Sequence, residues 1–338
     1  MRKLSLWAVL LMAVVAFTSC NQAQKAEKKQ IAEHVIYIGL DGWGSYSVDK
    51  ADMPNTKALM AEGCWTLQKR AVLPSSSGVN WASMFMGACP ELHGYTTWDS
   101  SKHEIPERVI LKNNIFPTMF QLLRDAQPEA EIGCLYEWDG IKYVVDTLST
   151  NYHAQTPKGK EYTDELCKMS VQYIKEKKPV LGAFIFDNPD HVGHDAGHDT
   201  PEYYANLKEL DGYIGEIIQA TKDAGIYEKC IFVVTSDHGG IDHGHGGKTL
   251  EEVETPFIIA GKGIKKGGEM QASMMQFDCA PTVLHIFGLE GPQVWTGRPM
   301  MEVFESDSPI VIQSEAKNLV CIQVDVLEIL RFISFHSE

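Results

Sequence analysis

The sequence predicts an α/β protein, a three-layer α/β/α sandwich around a central, mostly parallel sheet. Short apolar runs rich in Val, Ile and Phe recur along the chain, separated by segments with helical spacing. Strands that alternate with helices form sheets covered on both faces. Three of the apolar runs end in acids, at Leu40-Asp41, Phe186 leading to Asp190, and Ser236-Asp237-His238. Open α/β sheets hold ligands beyond the carboxyl ends of their strands. No internal repeat and no Pro/Ser-rich linker interrupts residues 32–305, which read as one domain.

The elements follow in order. Residues 34–40 (HVIYIGL) form a strand that stops at Asp41-Gly42. Pro54 to Ala61 has helical spacing, with proline in the first turn and Gly63 as a stop. Trp65 to Leu73 reads as a strand broken by Pro74-Ser75-Ser76-Ser77-Gly78, and a helix is expected from Val79 to Met86, ending near Gly87. Pro117 to Asp125 is a helix, Ile132 to Tyr136 a strand, Asp164 to Lys177 a helix and Val180 to Phe186 a buried strand. Glu202 to Ala224 is a long amphipathic helix capped by Gly225. Cys230 to Thr235 is a further buried strand, followed by one at Pro256 to Ala260 and a helix near Pro281 to Phe287.

The two ends differ from this pattern. Arg2 and Lys3 precede an apolar run from Leu4 to Phe17 and then Thr18-Ser19-Cys20, the anatomy of a secretory signal in residues 1–19. A cysteine after small residues resembles a bacterial lipoprotein signal, so Cys20 is the expected lipidation site, with ordinary secretion as the alternative. That places the protein in the periplasm on a lipid anchor, with residues 20–31 as a polar tether. Residues 306–338 read as an appendage without assigned function. A net charge of −15 among 338 residues argues against nucleic-acid duplexes as partners, but not against small phosphorylated substrates, since bound cations reverse the local sign. No C-x-x-C pair signals a zinc-thiolate or redox site.

The richest chemistry lies between Cys230 and Gly247 (CIFVVTSDHGGIDHGHGG). A buried strand opens into a glycine-rich turn carrying Asp237, His238, Asp242, His243 and His245. Asp190-His191-Val192-Gly193-His194 adds an acid and a histidine four apart. An acid after a strand is also a common turn or helix cap. Together, however, these residues supply enough carboxylate and imidazole for two divalent ions. Such ligands suit Zn²⁺, with Mn²⁺ or Mg²⁺ as alternatives. The serines after Pro74 stand at a helix start, where a metal-activated hydroxyl serves as nucleophile and an unactivated one serves as a cap. No G-x-S-x-G surrounds them, against a Ser-His-Asp hydrolase.

These motifs, in this order, resemble the alkaline phosphatase superfamily, nearest its type I phosphodiesterase/nucleotide pyrophosphatase branch. The resemblance rests on Leu40-Asp41-Gly42, Pro54 to Leu59, Pro74 to Asn80 and Gly87 to Gly94. It continues through Asp190-x-x-Gly193-His194, Ser236-Asp237-His238-Gly239 and His245-Gly246, and closes with Asp278 to Leu289 and Gly297-Arg298-Pro299. It implies an alkaline phosphatase-like fold and a phosphate-ester hydrolase with two metal ions. By the same resemblance Ser77 is the nucleophile, with Ser76 as runner-up. Asp41, Ser77, Asp237 and His238 hold one metal; Asp190, His194 and His245 hold the other, with His243 as alternative to His245. Asn80 and Trp98 are expected at the substrate.

The chain departs from the branch in one place that bears on substrate. Tyr95-Thr96-Thr97-Trp98 stands where relatives carry an asparagine that holds a phosphoryl oxygen. Residues 75–79 also lack the proline and arginine of the formylglycine motif, so sulfate-ester hydrolysis by that route is not expected. Tyr95, Trp98 and Trp138 are candidates to stack a base or aromatic leaving group. A phosphoryl-headgroup transferase and a non-catalytic metal- or phosphate-binding lipoprotein are the competing readings.

Overall fold

Hydrophobic side chains alternate along the first strand, and the two sets they form organise everything else. In the computed structural model, which describes residues 29–157 and 164–305, eight strands build one sheet. They are β1 (His34–Asp41), β2 (Cys64–Arg70), β3 (Ile132–Tyr136), β4 (Tyr152–Gln155), β5 (Leu181–Pro189), β6 (Cys230–Thr235), β7 (Glu254–Gly261) and β8 (Gly268–Glu269), in the order β4-β3-β5-β1-β6-β7-β2-β8. The helices are α1 (Pro54–Glu62), α2 (Ser77–Met86), α3 (Pro90–His93), α4 (Met119–Ala126), α5 (Glu165–Lys177), α6 (Asp190–Ala196), α7 (Pro201–Asp223), α8 (Leu250–Val253) and α9 (Cys279–Ile286).

On one face, Ile36, Ile38 and Leu40 of β1 pack with Leu59 of α1, Ile174 of α5 and Leu207 and Ile214 of α7. On the other, Tyr37 meets Phe85 of α2 edge-on at 6.2 Å between centroids, and Phe85 meets Phe120 of α4 at 5.3 Å. The helix α9 packs beside α2 and α4. A period-two strand covered by helices on both faces is the expected three-layer sandwich.

β1 lies between β5 and β6 and runs parallel to both. Their carboxyl ends therefore share one edge, at a position where chain connections leave in opposite directions. β7 is the exception to the parallel pattern, running antiparallel to β6 and β2. A parallel return needs a covering crossover. The segment after β6 forms instead a glycine-rich loop and the four-residue helix α8, so the chain doubles back.

Several boundaries differ from the sequence reading. The strand expected to reach Leu73 stops at Arg70, and beyond it the Val72 N–H is held by Asn80 Oδ1 at 2.8 Å. α2 starts at Ser77 rather than Val79, which puts the serine inside the first turn. The α4 helix starts at Met119 because Thr118, not Pro117, caps it by accepting from Gln121 N–H. β5 runs on to Pro189, and Asp190 opens a short helix. Six cysteines, Cys64, Cys89, Cys134, Cys167, Cys230 and Cys279, are free thiols. No described helix is long and apolar enough to cross a membrane. The expected signal sequence, Cys20, most of the tether and the appendage lie outside the described residues.

Candidate active site

Each ligand candidate is placed by the end of an element. Asp41 is the last residue of β1, and Asp237 and His238 follow β6 by two and three residues. β5 passes directly into α6, where Asp190 and His194, one turn apart, share a face. Ser77 stands in the first turn of α2, and His245 on the loop before α8.

Their atoms converge. The Ser77 hydroxyl lies 3.1 Å from His238 Nε2 and 3.4 Å from Asp41 Oδ1. His238 Nε2 is 3.4 Å from Asp41 Oδ1 and 3.3 Å from Asp237 Oδ2. Asp190 Oδ2 is 3.2 Å from His194 Nε2, and its Oδ1 is 3.7 Å from His245 Nε2. Ligand atoms of Asp190, His194 and His245 form one compact group, and those of Asp41, Asp190 and His238 form another. Asp190 therefore stands between the two sets, rather than in the second set alone. His243 stays outside both; its Nδ1 faces the His194 carbonyl at 3.0 Å.

The donor chemistry fits divalent cations. Nδ1 of His238, His194 and His245 faces the carbonyl oxygens of Gly239, His243 and Ser75 at 2.8, 2.9 and 3.0 Å. A carbonyl only accepts, so each Nδ1 carries the hydrogen, which directs an Nε2 lone pair into the site. The Nε2 atoms of His194 and His245 meet at 3.2 Å. Asp190 Oδ1 and Asp237 Oδ2 are buried without a hydrogen-bond partner. Carboxylate oxygens and imidazole nitrogens gathered this closely form a set that suits divalent cations.

The electrostatics agree. Burial, then the neighbouring Asp237 and Asp190 carboxylates, push Asp41 well above the usual carboxylate range. Burial and Asp190 push Asp237 up to about 8. Burial would also raise Asp190, but the His194 and His198 imidazoles beside it outweigh that and hold the carboxyl well below its ordinary value. His194 is pushed up to about 9 by its hydrogen bond to Asp190, so without metal a proton sits where a cation would. Burial takes His238 down to about 3 and lowers His245.

Among proteins of known sequence or structure, a profile of type I phosphodiesterase / nucleotide pyrophosphatase matches residues 35–257. The chain belongs to that family. A human relative, ectonucleotide pyrophosphatase/phosphodiesterase family member 5, is 20% identical over 236 residues, covering 68% of this chain and 48% of the relative. A 2,3-bisphosphoglycerate-independent phosphoglycerate mutase from Cereibacter sphaeroides is 29% identical over 175 residues, 48% of this chain and 33% of the mutase. The chain thus spans half or less of these relatives. An inactive variant of murine ectonucleotide pyrophosphatase/phosphodiesterase 5, solved with AMP, superposes with a TM-score of 0.67 at 15% identity, covering 81% of this chain and all of that one. A 2-O glycosaminoglycan sulfatase, BT1596, superposes with a TM-score of 0.64 at 14% identity, covering 80% and 73%. At such identities the superpositions establish a shared fold.

The candidate site opens into a cavity of about 580 Å³, lined by Ser77, Asp190, His194 and His245 together with Trp98 and Trp138. Trp98 is 65% exposed, and Glu104 pins its loop by accepting from Thr96 N–H and Thr97 Oγ1. Ser76 also borders the cavity, but Ser77 is the serine that reaches the ligands.

Two expectations are corrected. Asn80 does not line the cavity. It is fully buried, and its Nδ2 donates to Ser76, Pro74 and Val72 carbonyls at 2.9, 3.2 and 3.3 Å. With Oδ1 bound to Val72 N–H, the whole amide braces the turn that presents Ser77. Tyr95 is 5% exposed and donates to the Tyr143 carbonyl at 3.1 Å, so it packs beneath the cavity loop instead of facing a ligand.

Two supporting residues escaped the sequence reading. Trp81 Nε1 donates to Asp41 Oδ2 at 2.9 Å, across the bare backbone of Gly39. A Cβ there would sit 2.3 Å from the indole. Lys69, fully buried in β2, donates to the Ser236 carbonyl at 2.6 Å and to Gln276 Oε1. The Gln276 amide in turn donates to the Ser236 and Asp237 carbonyls, which fixes the backbone behind the ligand pair. Burial pushes Lys69 down to about 8. A charged residue in a buried strand is a signal visible in sequence; its partner across the sheet is not.

Proposed function

We propose that this protein hydrolyses phosphate esters with Ser77 as nucleophile and two divalent metal ions, most suitably Zn²⁺. The observation that carries the reading is the Ser77 hydroxyl, in the first turn of α2, within reach of His238 and Asp41 and open to the cavity. Asp41, Ser77, Asp237 and His238 would hold one ion; Asp190, His194 and His245 would hold the other, with Asp190 near both. When bound, such ions activate the hydroxyl and water and neutralise phosphoryl charge.

The residues then have distinct tasks. Ser77 Oγ forms a bond to phosphorus while the ester oxygen leaves from the opposite side. Water then opens the seryl ester, releasing phosphate from a monoester substrate or a phosphate monoester from a diester, and restores the hydroxyl. The first-turn N–H groups of α2 favour the anion. Phosphoryl transfer relies mainly on such positioning and charge neutralisation. Trp98 and Trp138 offer faces for a base or aromatic leaving group, and the AMP held by the murine relative suits those faces. We therefore read the substrates as small phosphate mono- or diesters.

The test compares p-nitrophenyl phosphate with bis-p-nitrophenyl phosphate, with added Zn²⁺, for the wild type and Ser77→Ala. Turnover of one ester by the wild type and background rates for the variant are expected. Hydrolysis that survives the substitution removes Ser77 as the nucleophile. Absence of hydrolysis with every ester favours a binding protein, and capture of the phosphoryl group by added alcohol in preference to water favours a transferase.

A further inference from the structure

His198 belongs to neither ligand group, yet the structure is built around its ring. It is 5% exposed, and its Nε2 points at Asp190 Oδ1 from 3.8 Å. Neither atom has a hydrogen-bond partner among the described residues. The other end of the residue is tied down. Its backbone N–H donates to the Asp242 carbonyl at 2.6 Å, and Nδ1 lies 3.1 Å from the same oxygen. Asp242 lies on the loop that carries His245, while Asp190 and His194 lie on α6, so His198 spans the two segments that form one half of the site.

Two glycines make room for it. A Cβ on Gly193, in α6, would sit 2.4 Å from the His198 ring, and one on Gly240, in the loop, would sit 2.2 Å from Nε2. The ring is thus clasped between bare backbone of the two segments it joins. Its outer face packs on Tyr203 at 5.4 Å between centroids. Tyr203 donates to the Gly42 carbonyl at 2.8 Å, just past Asp41.

We infer that His198 is a positioning residue, bracing Asp190 and the His245 loop so that Asp190, His194 and His245 keep the spacing of a metal site. A carboxylate that gives one oxygen to a cation needs a partner for the other, and such outer partners control metal affinity. Nε2 reaches Asp190 Oδ1 with a small shift of either group; the hydrogen then sits on Nε2 and is donated to Asp190, while the Asp242 carbonyl keeps its bond from the His198 backbone N–H. The inference rests on the two-metal reading above.

The experiment is calorimetric titration of Zn²⁺ into metal-free wild type, His198→Phe and His198→Gln, with thermal melting of each metal-free protein. Phe keeps the bulk of the ring without its nitrogens; Gln returns an N–H near the Nε2 position. In His198→Phe one of two zinc sites is expected to weaken by about 10–100-fold, with the other within about twofold and the melting temperature unchanged. His198→Gln recovers most of the loss. Gly240→Ala, which displaces the ring while leaving His198 in the sequence, reproduces the Phe result. Wild-type binding of both ions by His198→Phe overturns the inference alone, as does equal weakening of both sites with a lowered melting temperature. A wild type that takes up fewer than two zinc ions overturns it together with the two-metal reading.

Discussion

The two halves of the site are made from different material. Asp41, Asp237 and His238 stand at or just past strand ends and are at most 3% exposed. Asp190, His194 and His245 come from a seven-residue helix and a loop, with side chains 13, 45 and 11% exposed. The buried half is set by the sheet and braced by Trp81, Lys69 and Gln276. The open half hangs on contacts between segments, with His194 bonded to the His243 carbonyl and His245 to Ser75. A sheet edge forms with the core. A loop-built site forms only when its segments meet, so the two halves should differ in tolerance to change.

That contrast can be sharpened or broken. His238→Ala, in the buried half, is expected to slow hydrolysis by about 10³-fold, the scale of losing a contact that stabilises developing charge. His245→Ala, in the open half, should cost about 10²-fold and leave one tight zinc by metal analysis; equal losses would erase the distinction. Graded chelation should release zinc in two phases, with His245→Ala lacking the easier one, and a single phase in the wild type would mean the halves act as one. Trp81→Phe should weaken one zinc site by about tenfold through Asp41, with little change at the other.

The smallest effect concerns pH. Asp237 is raised to about 8 and His194 to about 9 in the folded, metal-free protein. Groups with raised pKa values lend stability that is lost as pH climbs through the folded values. His238, lowered to about 3, is neutral throughout the range above its unfolded value. The melting temperature of the metal-free protein should therefore fall by a few degrees between about pH 7 and about pH 9.5, relative to the zinc-loaded form. A flat difference between the two forms would show that the carboxylates are not held protonated.

Much of this was legible beforehand. The runs ending at Asp41 and Asp237 needed only apolar patterning, and Asp190 and His194 already stood out as an acid and a histidine four apart. Asn80 misled because its place after the serines suggests substrate, whereas four bonds to nearby backbone make it a brace. Tyr95 misled for a similar reason: an aromatic near a pocket motif can as easily lie beneath the pocket as in it. Trp81 and His198 left no local trace, since each acts on a residue distant in sequence.

By itself the sequence determined the layered α/β class, the acids at strand ends and the metal-ligand chemistry, because period and residue type are local properties. Only the tertiary structure decided which atoms converge, that Asp190 stands between both ligand sets, that β7 runs backwards and that Asn80 faces away from the cavity. Those outcomes depend on how strands line up side by side and which backbones come close enough to touch. No spacing along a chain encodes such distances directly.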